Sequence, residues 1–413
     1  MRPSGMTNDQ YADLLHMLEQ KITDLATKTS GSGLVVSDTD YYEAVNYGED
    51  IKDLTDGREE LVFDTLGRPN LMTNFYADKW AGLDFLSANS TLFTPDSNSL
   101  HPAFYCDQEG NQLCEFQVGK YQAVRWEGTN TPCSLYNLVP SNSLNLDTML
   151  TMIGAMGCGF ALTTQACWAY MALLSMRLSY ECRGNTSYGK AHDCTSEVAK
   201  AANIYTKSDG GNAQYLSRTG TGPTYWNLLG DPAMPADLVG NLLERVADVK
   251  FVNGVWRLIP YNYALNEGVD LSSGSTLFKE LAPGDKTIFN TQGTAGSLCY
   301  DLVNESGTQM EISNAVVNGI KEGHVDGANT FASTAVHSGV IVPPYAYELL
   351  LAPCTKAPKG YFWLRWISES TPCFGGYANY GSYAGLGCRY AGDTRGNSGI
   401  YIGFRPARLK KVR

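Results

Sequence analysis

The chain has no basic stripe. Its 413 residues include 31 Lys and Arg against 42 Asp and Glu, a net charge of −11. A protein that tracks a phosphate backbone needs clustered cations, so nucleic acid is excluded as a partner. The one basic run, Arg405, Arg408, Lys410, Lys411 and Arg413, reads either as a solvated tail or as a contact with an acidic neighbour in an assembly. Long apolar runs are missing too. The stretch Met149 to Leu174 is broken by Gly154, Gly157, Gly159 and Thr163-Thr-Gln165, which fits two packed helices joined by a glycine loop and excludes membrane insertion. The opening residues MRPSGMTNDQYADLL carry no apolar core and no cleavage site, so Sec export is not expected.

Motifs for chemistry are equally scarce. There is no Cys-x-x-Cys, and the five histidines (His16, His101, His192, His324, His337) are scattered. Cys182, His192 and Cys194 form the one loose cluster. Neither a twelve-residue calcium loop nor a glycine-rich loop ending in Lys-Ser/Thr is present. Eleven cysteines, an odd number, read as reduced thiols in small core sites rather than a disulfide framework. We therefore expect no enzyme, no cofactor and no metal.

What is present suits an irregular α+β protein: 42 glycines, 11% aromatics and only 18% charged residues. Residues 8–27 predict an amphipathic helix capped by Asn8 or Asp9, with a seam of Tyr11, Leu15, Leu18, Ile22 and Leu25. That seam either docks on its own domain or joins two or three copies as a short coiled coil. Residues 1–33 thus form a helix and linker for attachment or oligomerisation, and 34–64 a β-rich connection. Strands and loops continue to about residue 100. Two helices are expected within 143–178, the first opened by Asn145 or Asp147 and the second capped by Thr163 or Thr164. Trp168, Met171, Leu174 and Leu178 would line one face of the second. The main domain spans 65–408, with a loop-rich insertion near 264–345 and a basic tail at 409–413.

The most informative segment is Gly375 to Gly403, built almost wholly from Tyr, Gly, Ser, Asn and Ala. Tyr377, Tyr380, Tyr383, Tyr390 and Tyr401 each stand among residues too small to cover them. Rigid aromatics with one polar tip, spaced by small adaptable residues, are the chemistry of an antibody-like paratope. Disorder and functionless ordered loops are the alternatives. Trp363, Trp366 and Phe374 before the tract, and Ile400, Ile402 and Phe404 after it, supply core anchors at both ends. Five exposed rings at about 150–250 Å² each would supply much of the about 800 Å² that a typical partner buries. Truncating Tyr380 or Tyr390 would then weaken binding and leave stability nearly unchanged.

Several further pieces fall in a characteristic order. They are His101-Pro-Ala-Phe104, Val118-Gly-Lys-Tyr121, Leu162-Thr-Thr-Gln-Ala-Cys-Trp168, Arg183-Gly-Asn185 and Tyr188-Gly-Lys190. Thr219-Gly-Thr-Gly-Pro223 with Trp226, Asp237-Leu-Val-Gly-Asn241 with Glu244, and the closing Ile402-Gly-Phe-Arg405 complete the set. In these the chain resembles, over roughly 65–408, the C-type-lectin-fold variable proteins of diversity-generating retroelements, whose fold is related to the formylglycine-generating enzyme domain. One departure stands out. The family usually writes Gly-Asn-Val-Trp-Glu-Trp where this chain has Gly240-Asn-Leu-Leu-Glu-Arg245.

The resemblance implies a twisted antiparallel sheet flanked by two helices. It also implies hypervariable ligand-binding positions just before the closing motif, at Tyr377, Asn379, Tyr380, Ser382, Tyr383, Tyr390, Gly392, Asp393, Thr394, Gly399, Ile400 and Tyr401. Gly381, Gly385, Leu386, Arg389, Gly396 and Phe404 would be scaffold. The implied role is phage receptor binding from a virion tail tip or fibre, with a host cell-surface protein or glycan and other tail components as partners, and a homo-oligomer, possibly a trimer, as the working form. The alternatives are a bacterial cell-surface adhesin and a formylglycine-type thiol oxidase using Cys373 and Cys388.

Overall fold

The first helix begins at a capping box. Thr7 Oγ1 accepts from the Gln10 amide at 3.2 Å and Gln10 Oε1 accepts from the Thr7 amide at 2.9 Å, so α1 runs Asn8–Lys28. Thr7 is the cap, one residue before the predicted Asn8. The computed structural model describes residues 6–28, 38–77, 100–126, 131–205, 214–320 and 326–410. The 29–33 part of the expected linker, His324 and residues 411–413 of the basic tail lie outside them.

The apolar seam of α1 is already occupied. Tyr11, Leu15, Leu18 and Ile22 are buried in one cluster with the chain's own Ile51, Leu71, Tyr121 and Ala236. A coiled coil through this seam would require α1 to undock, so the helix is part of the domain.

A buried ion cluster fastens the same helix. Lys120 Nζ lies against Glu19 and 2.6 Å from Glu59 Oε2, and Tyr121 Oη donates to Glu19 Oε2 at 2.8 Å. One ammonium can match only one of the two carboxylates. Burial pushes Glu59 well above its usual 4.5, while in Glu19 the same burial is outweighed by the Lys120 charge together with His16 and the hydrogen bonds from Lys120 and Glu59, which hold it below 4.5. The folded chain thus keeps a proton on Glu59 that the unfolded chain releases. The stability this proton confers is full below about pH 4.5 and is lost as pH rises toward the folded value. Glu19 works in the opposite sense: its contribution is present above about pH 4.5 and fades as pH falls through its depressed value. Urea midpoints should therefore drop from about pH 5 to pH 8 in the parent and less in Glu59→Gln. Parallel curves would show that Glu59 is ionised when folded.

Residues 38–54 correct the expectation of a β-rich connection, because Asp38–Leu54 is helical (α2). Ala44 and Ile51 are buried on its inner face, and a Cβ at Gly48 between them would lie 2.8 Å from Leu61 Cβ. The glycine that lets the helix sit on the next strand is also what hid its period in the sequence.

That strand starts a five-stranded antiparallel sheet in the order Glu59–Phe63, Pro69–Phe75, Glu115–Gly119, Pro406–Lys410, Phe160–Leu162. α3, Leu146–Gly154, is capped by Asn145 (2.8 Å to the Thr148 amide), and α4, Gln165–Arg177, by Thr164 (3.2 Å to the Cys167 amide). α4 is buried all round from Gln165 to Ser175, broader than the single face predicted, while Leu178 is 58% exposed. Tyr170 meets Phe75 and Phe116 on one side of α4, and Trp168 meets Phe374 on another, so the helix joins this sheet to the next.

The second sheet is mixed and six-stranded: Asp326–Thr330, Tyr361–Arg365, Gly385–Ala391, Cys373–Gly375, Leu243–Arg245, Ile402–Gly403. Its first strand comes from 264–345, so that stretch is not peripheral. Strands Cys299–Leu302 and Met310–Ser313 in the same stretch are fully buried. The architecture is α+β with several sheets and few helices. Among the described residues no helix is long and apolar enough to cross a membrane, and no group of three or more His, Cys, Asp or Glu could hold a metal.

Candidate functional site

The end of the chain is bolted down before it is displayed. Strand Ile402–Gly403 belongs to the six-stranded sheet and Pro406–Lys410 to the five-stranded one, with Arg405 at the corner between them. Arg405 Nε and Nη2 donate to Glu244 Oε2 and Oε1 at 2.8 and 2.6 Å. Its remaining protons go to the carbonyls of Gly119, Lys120 and Ala236 at 2.8–2.9 Å. This buried fork is linked onward. Gln122 Nε2 donates to Glu244 Oε1 at 3.1 Å, Asn241 Nδ2 to Gln122 Oε1 at 2.8 Å, and Asn185 Nδ2 to Asn241 Oδ1 at 3.2 Å. Asn185, Asn241, Glu244 and Arg405, from three separate pieces of the sequence, thus form one connected network.

The same pieces hold the Tyr-rich tract through backbone bonds. Gly240 donates to the Gly375 carbonyl (3.0 Å), Tyr188 to that of Ala378 (2.7 Å), and Gly381 to that of Thr186 (2.9 Å). Gly385 is required where it stands, since its φ is +152° and a Cβ would lie 2.2 Å from the Lys359 carbonyl oxygen. Leu386 and Phe404 are buried, and the buried Arg389 guanidinium lies 4.0 Å from the centre of the Phe331 ring. Gly396 differs from these scaffold positions: it is exposed, and a Cβ there would meet nothing within 4 Å. Arg245, standing where the resemblance expects a tryptophan, is fully buried. It donates to Thr371 Oγ1 and to the carbonyls of Thr394 (3.3 Å) and Asn397 (3.1 Å), replacing aromatic packing with a tether on the 394–397 loop.

The tyrosines of the tract come together, but they cover one another. Ring centroids lie 4.3 Å apart for Tyr377–Tyr380, 5.4 Å for Tyr377–Tyr401 and 6.3 Å for Tyr390–Tyr401. Tyr383 is 49% exposed, whereas Tyr377, Tyr380, Tyr390 and Tyr401 are half-buried. Burial raises the phenols of Tyr380, Tyr390 and Tyr401, and Tyr401 Oη also donates to Asp393 Oδ2 at 3.3 Å. The expectation of five free rings is therefore corrected to one free ring on a half-buried cluster. Small neighbours do not cover a tyrosine, but other tyrosines do. Of the remaining expected positions, Ser382, Thr394 and Ile400 are exposed and Asn379 and Gly399 half-buried. Gly392 and Asp393 are buried.

The sequence reading missed half of this patch. Strand Tyr361–Arg365 turns Phe362 and Leu364 into the core and leaves Tyr361, Trp363 and Arg365 half-buried on the other face. Trp363, taken as a core anchor, lies 5.3 Å from Tyr380, 5.4 Å from Tyr383 and 6.4 Å from Tyr390, and Tyr361 lies 4.7 Å from Tyr383. The neighbouring strand adds Asp326, Ala328 and Thr330, paired with Arg365, Trp363 and Tyr361. The alternation Tyr-Phe-Trp-Leu-Arg was the signal that could have found them.

Cys373 and Cys388 sit directly beneath the rings. Both thiols are fully buried, and burial pushes them up to about 11 and about 12. A thiolate nucleophile is disfavoured there, which weighs against thiol oxidation. The loose cluster Cys182, His192 and Cys194 is drawn apart into separate contacts: His192 Nδ1 pairs with Thr186 Oγ1 at 2.9 Å, while buried Cys182 points at the Asn227 carbonyl. His101 is a core residue, fully buried between the Ala103 amide and the Glu348 carbonyl. No known protein-family model matches this chain, and none of the curated proteins compared with it matches.

Proposed function

We propose that this chain is a non-enzymatic recognition protein, a C-type-lectin-fold variable protein of a phage tail, whose ligand contact is the aromatic patch formed by the closing tract and the strand Tyr361–Arg365. One observation carries the reading: within the tract, display and anchoring fall on different residues. Asn379, Ser382, Tyr383, Thr394 and Ile400 reach solvent, while Gly385, Leu386, Arg389, Phe404 and Arg405 hold the frame from inside. Such a division lets side chains change at the surface with little cost to the fold. Tyr, Trp and Arg, the residue types enriched in binding hot spots, make up the centre of the patch. Display of several copies on a virion would multiply a modest single-site affinity by about 10² to 10⁴.

A library that randomises the twelve expected positions tests this division directly. Soluble, protease-resistant protein should retain any residue at 379, 382, 383, 394 and 400, but strongly favour the parent at 380, 392 and 393. Equal depletion at all twelve would make the tract a structural element. On the DNA, a near-repeat of the codons for 365–405 that differs only at adenines, beside a reverse-transcriptase gene, is the expected companion.

A further inference from the structure

A cavity of ≈ 300 Å³ is lined in part by Ser382 and Ala384, the two chain neighbours of the exposed Tyr383. Its floor is apolar, formed by Met176, Val239 and Leu386, and its rim includes Glu181, Arg183, Asp193, Lys359 and Ser382. The rim and the aromatic patch share two segments of chain: Lys359 is two residues from Tyr361, and Ser382 adjoins Tyr383. About 300 Å³ is the lower end of the range for small-molecule sites, enough for one compact group.

We propose that this cavity is a subsite for one neutral sugar ring, the rest of the glycan running across Tyr383 and Tyr361. The inference rests on the recognition reading above and narrows its ligand class. Charge is the first argument. Lys359 is paired with Glu181 at 2.7 Å, and Arg183 with Glu197 at 2.9 Å and Asp193 at 3.4 Å. These rim charges are already matched with one another, so an ionic group finds little unbalanced charge to attract it. Hydroxyls can donate to the carboxylates and accept from the guanidinium and ammonium together, adding no net charge. The second argument is the floor, since a pyranose carries an apolar face of C–H groups as well as its hydroxyl edge. The third is the backbone. The amides of Thr186, Gly381, Ala384 and Gly387 around the cavity already donate to Lys190, Thr186, Gly381 and Lys359 carbonyls. A peptide strand adding to an open edge needs such groups free, and here they are used.

The labelled full chain, applied to an array of immobilised bacterial and animal cell-surface glycans, tests the proposal. Binding to neutral glycans that share a terminal sugar is expected, with that free monosaccharide competing at millimolar concentration and quenching or enhancing tryptophan fluorescence through Trp363. Arg183→Ala should weaken binding at least about tenfold, the scale of a lost charge-assisted hydrogen bond. Ser382→Trp, at an exposed position that fills the cavity mouth, should abolish it with an unchanged melting temperature. Binding confined to anionic glycans, neutral binding insensitive to Ser382→Trp, or no glycan binding at all would each overturn the sugar subsite. The recognition reading would survive those outcomes, because the positional library tests it without any ligand.

Discussion

Tyr380→Ala lowers the stability of the chain by about 3 kcal/mol, whereas Tyr383→Ala lowers it by only about 1 kcal/mol. Both residues belong to the same tract and were read alike from the sequence. Tyr380 packs against Tyr377 at 4.3 Å and Trp363 at 5.3 Å, and it leans on both large core clusters. Removing its ring opens a cavity beside Cys388 that rigid neighbours cannot fill, and it forfeits aromatic pairs worth about 0.5–1.5 kcal/mol each. Tyr383 keeps 49% of its surface in water, so its truncation costs little beyond its contacts with Tyr361 and Trp363. Urea unfolding of the two variants, followed by tryptophan fluorescence, decides the matter. Equal losses would mean that Tyr383 is also a structural ring, and the proposed contact surface would lose its centre.

Glu244→Ala has a larger expected effect, about 3–5 kcal/mol, because it leaves the Arg405 guanidinium buried without its hydrogen-bonded counter-charge. Arg405 is fully buried and its pair with Glu244 is bidentate at 2.6 and 2.8 Å. The double replacement Glu244→Leu with Arg405→Met should recover only part of that loss. A methionine satisfies none of the carbonyls of Gly119, Lys120 and Ala236, which would then stand buried without donors. Calorimetry or urea midpoints of the two proteins give the comparison. A double variant as stable as the parent would show that the pair serves specificity rather than stability.

Elements with a strong local signature were legible in the sequence. α1 followed its 3–4 seam, and α3 and α4 followed their Asn145 and Thr164 caps. α2 was not, because Gly48 interrupts the apolar period at the point where Leu61 must approach. Long-range pairing explains the other misses. Asp326–Thr330 looks like loop, with two small residues and no large apolar side chain, and becomes a strand only because Tyr361–Arg365 pairs with it. The composition of the closing tract correctly marks where aromatics gather. It cannot say how many of those rings face water, since mutual covering depends on distances between positions up to 24 residues apart, as with Tyr377 and Tyr401.

Strand Pro406–Lys410 lies inside its sheet, between Glu115–Gly119 and Phe160–Leu162. The sheet therefore stays split until residues 406–410 have been synthesised. Any stop codon or frameshift within 375–401 deprives the chain of that interior rib, leaving apolar edges open to proteolysis and aggregation. If the preceding stretch is rewritten from copy to copy, its downstream neighbour acts as a proofreader, admitting to the folded pool only those rewritings that preserve the reading frame.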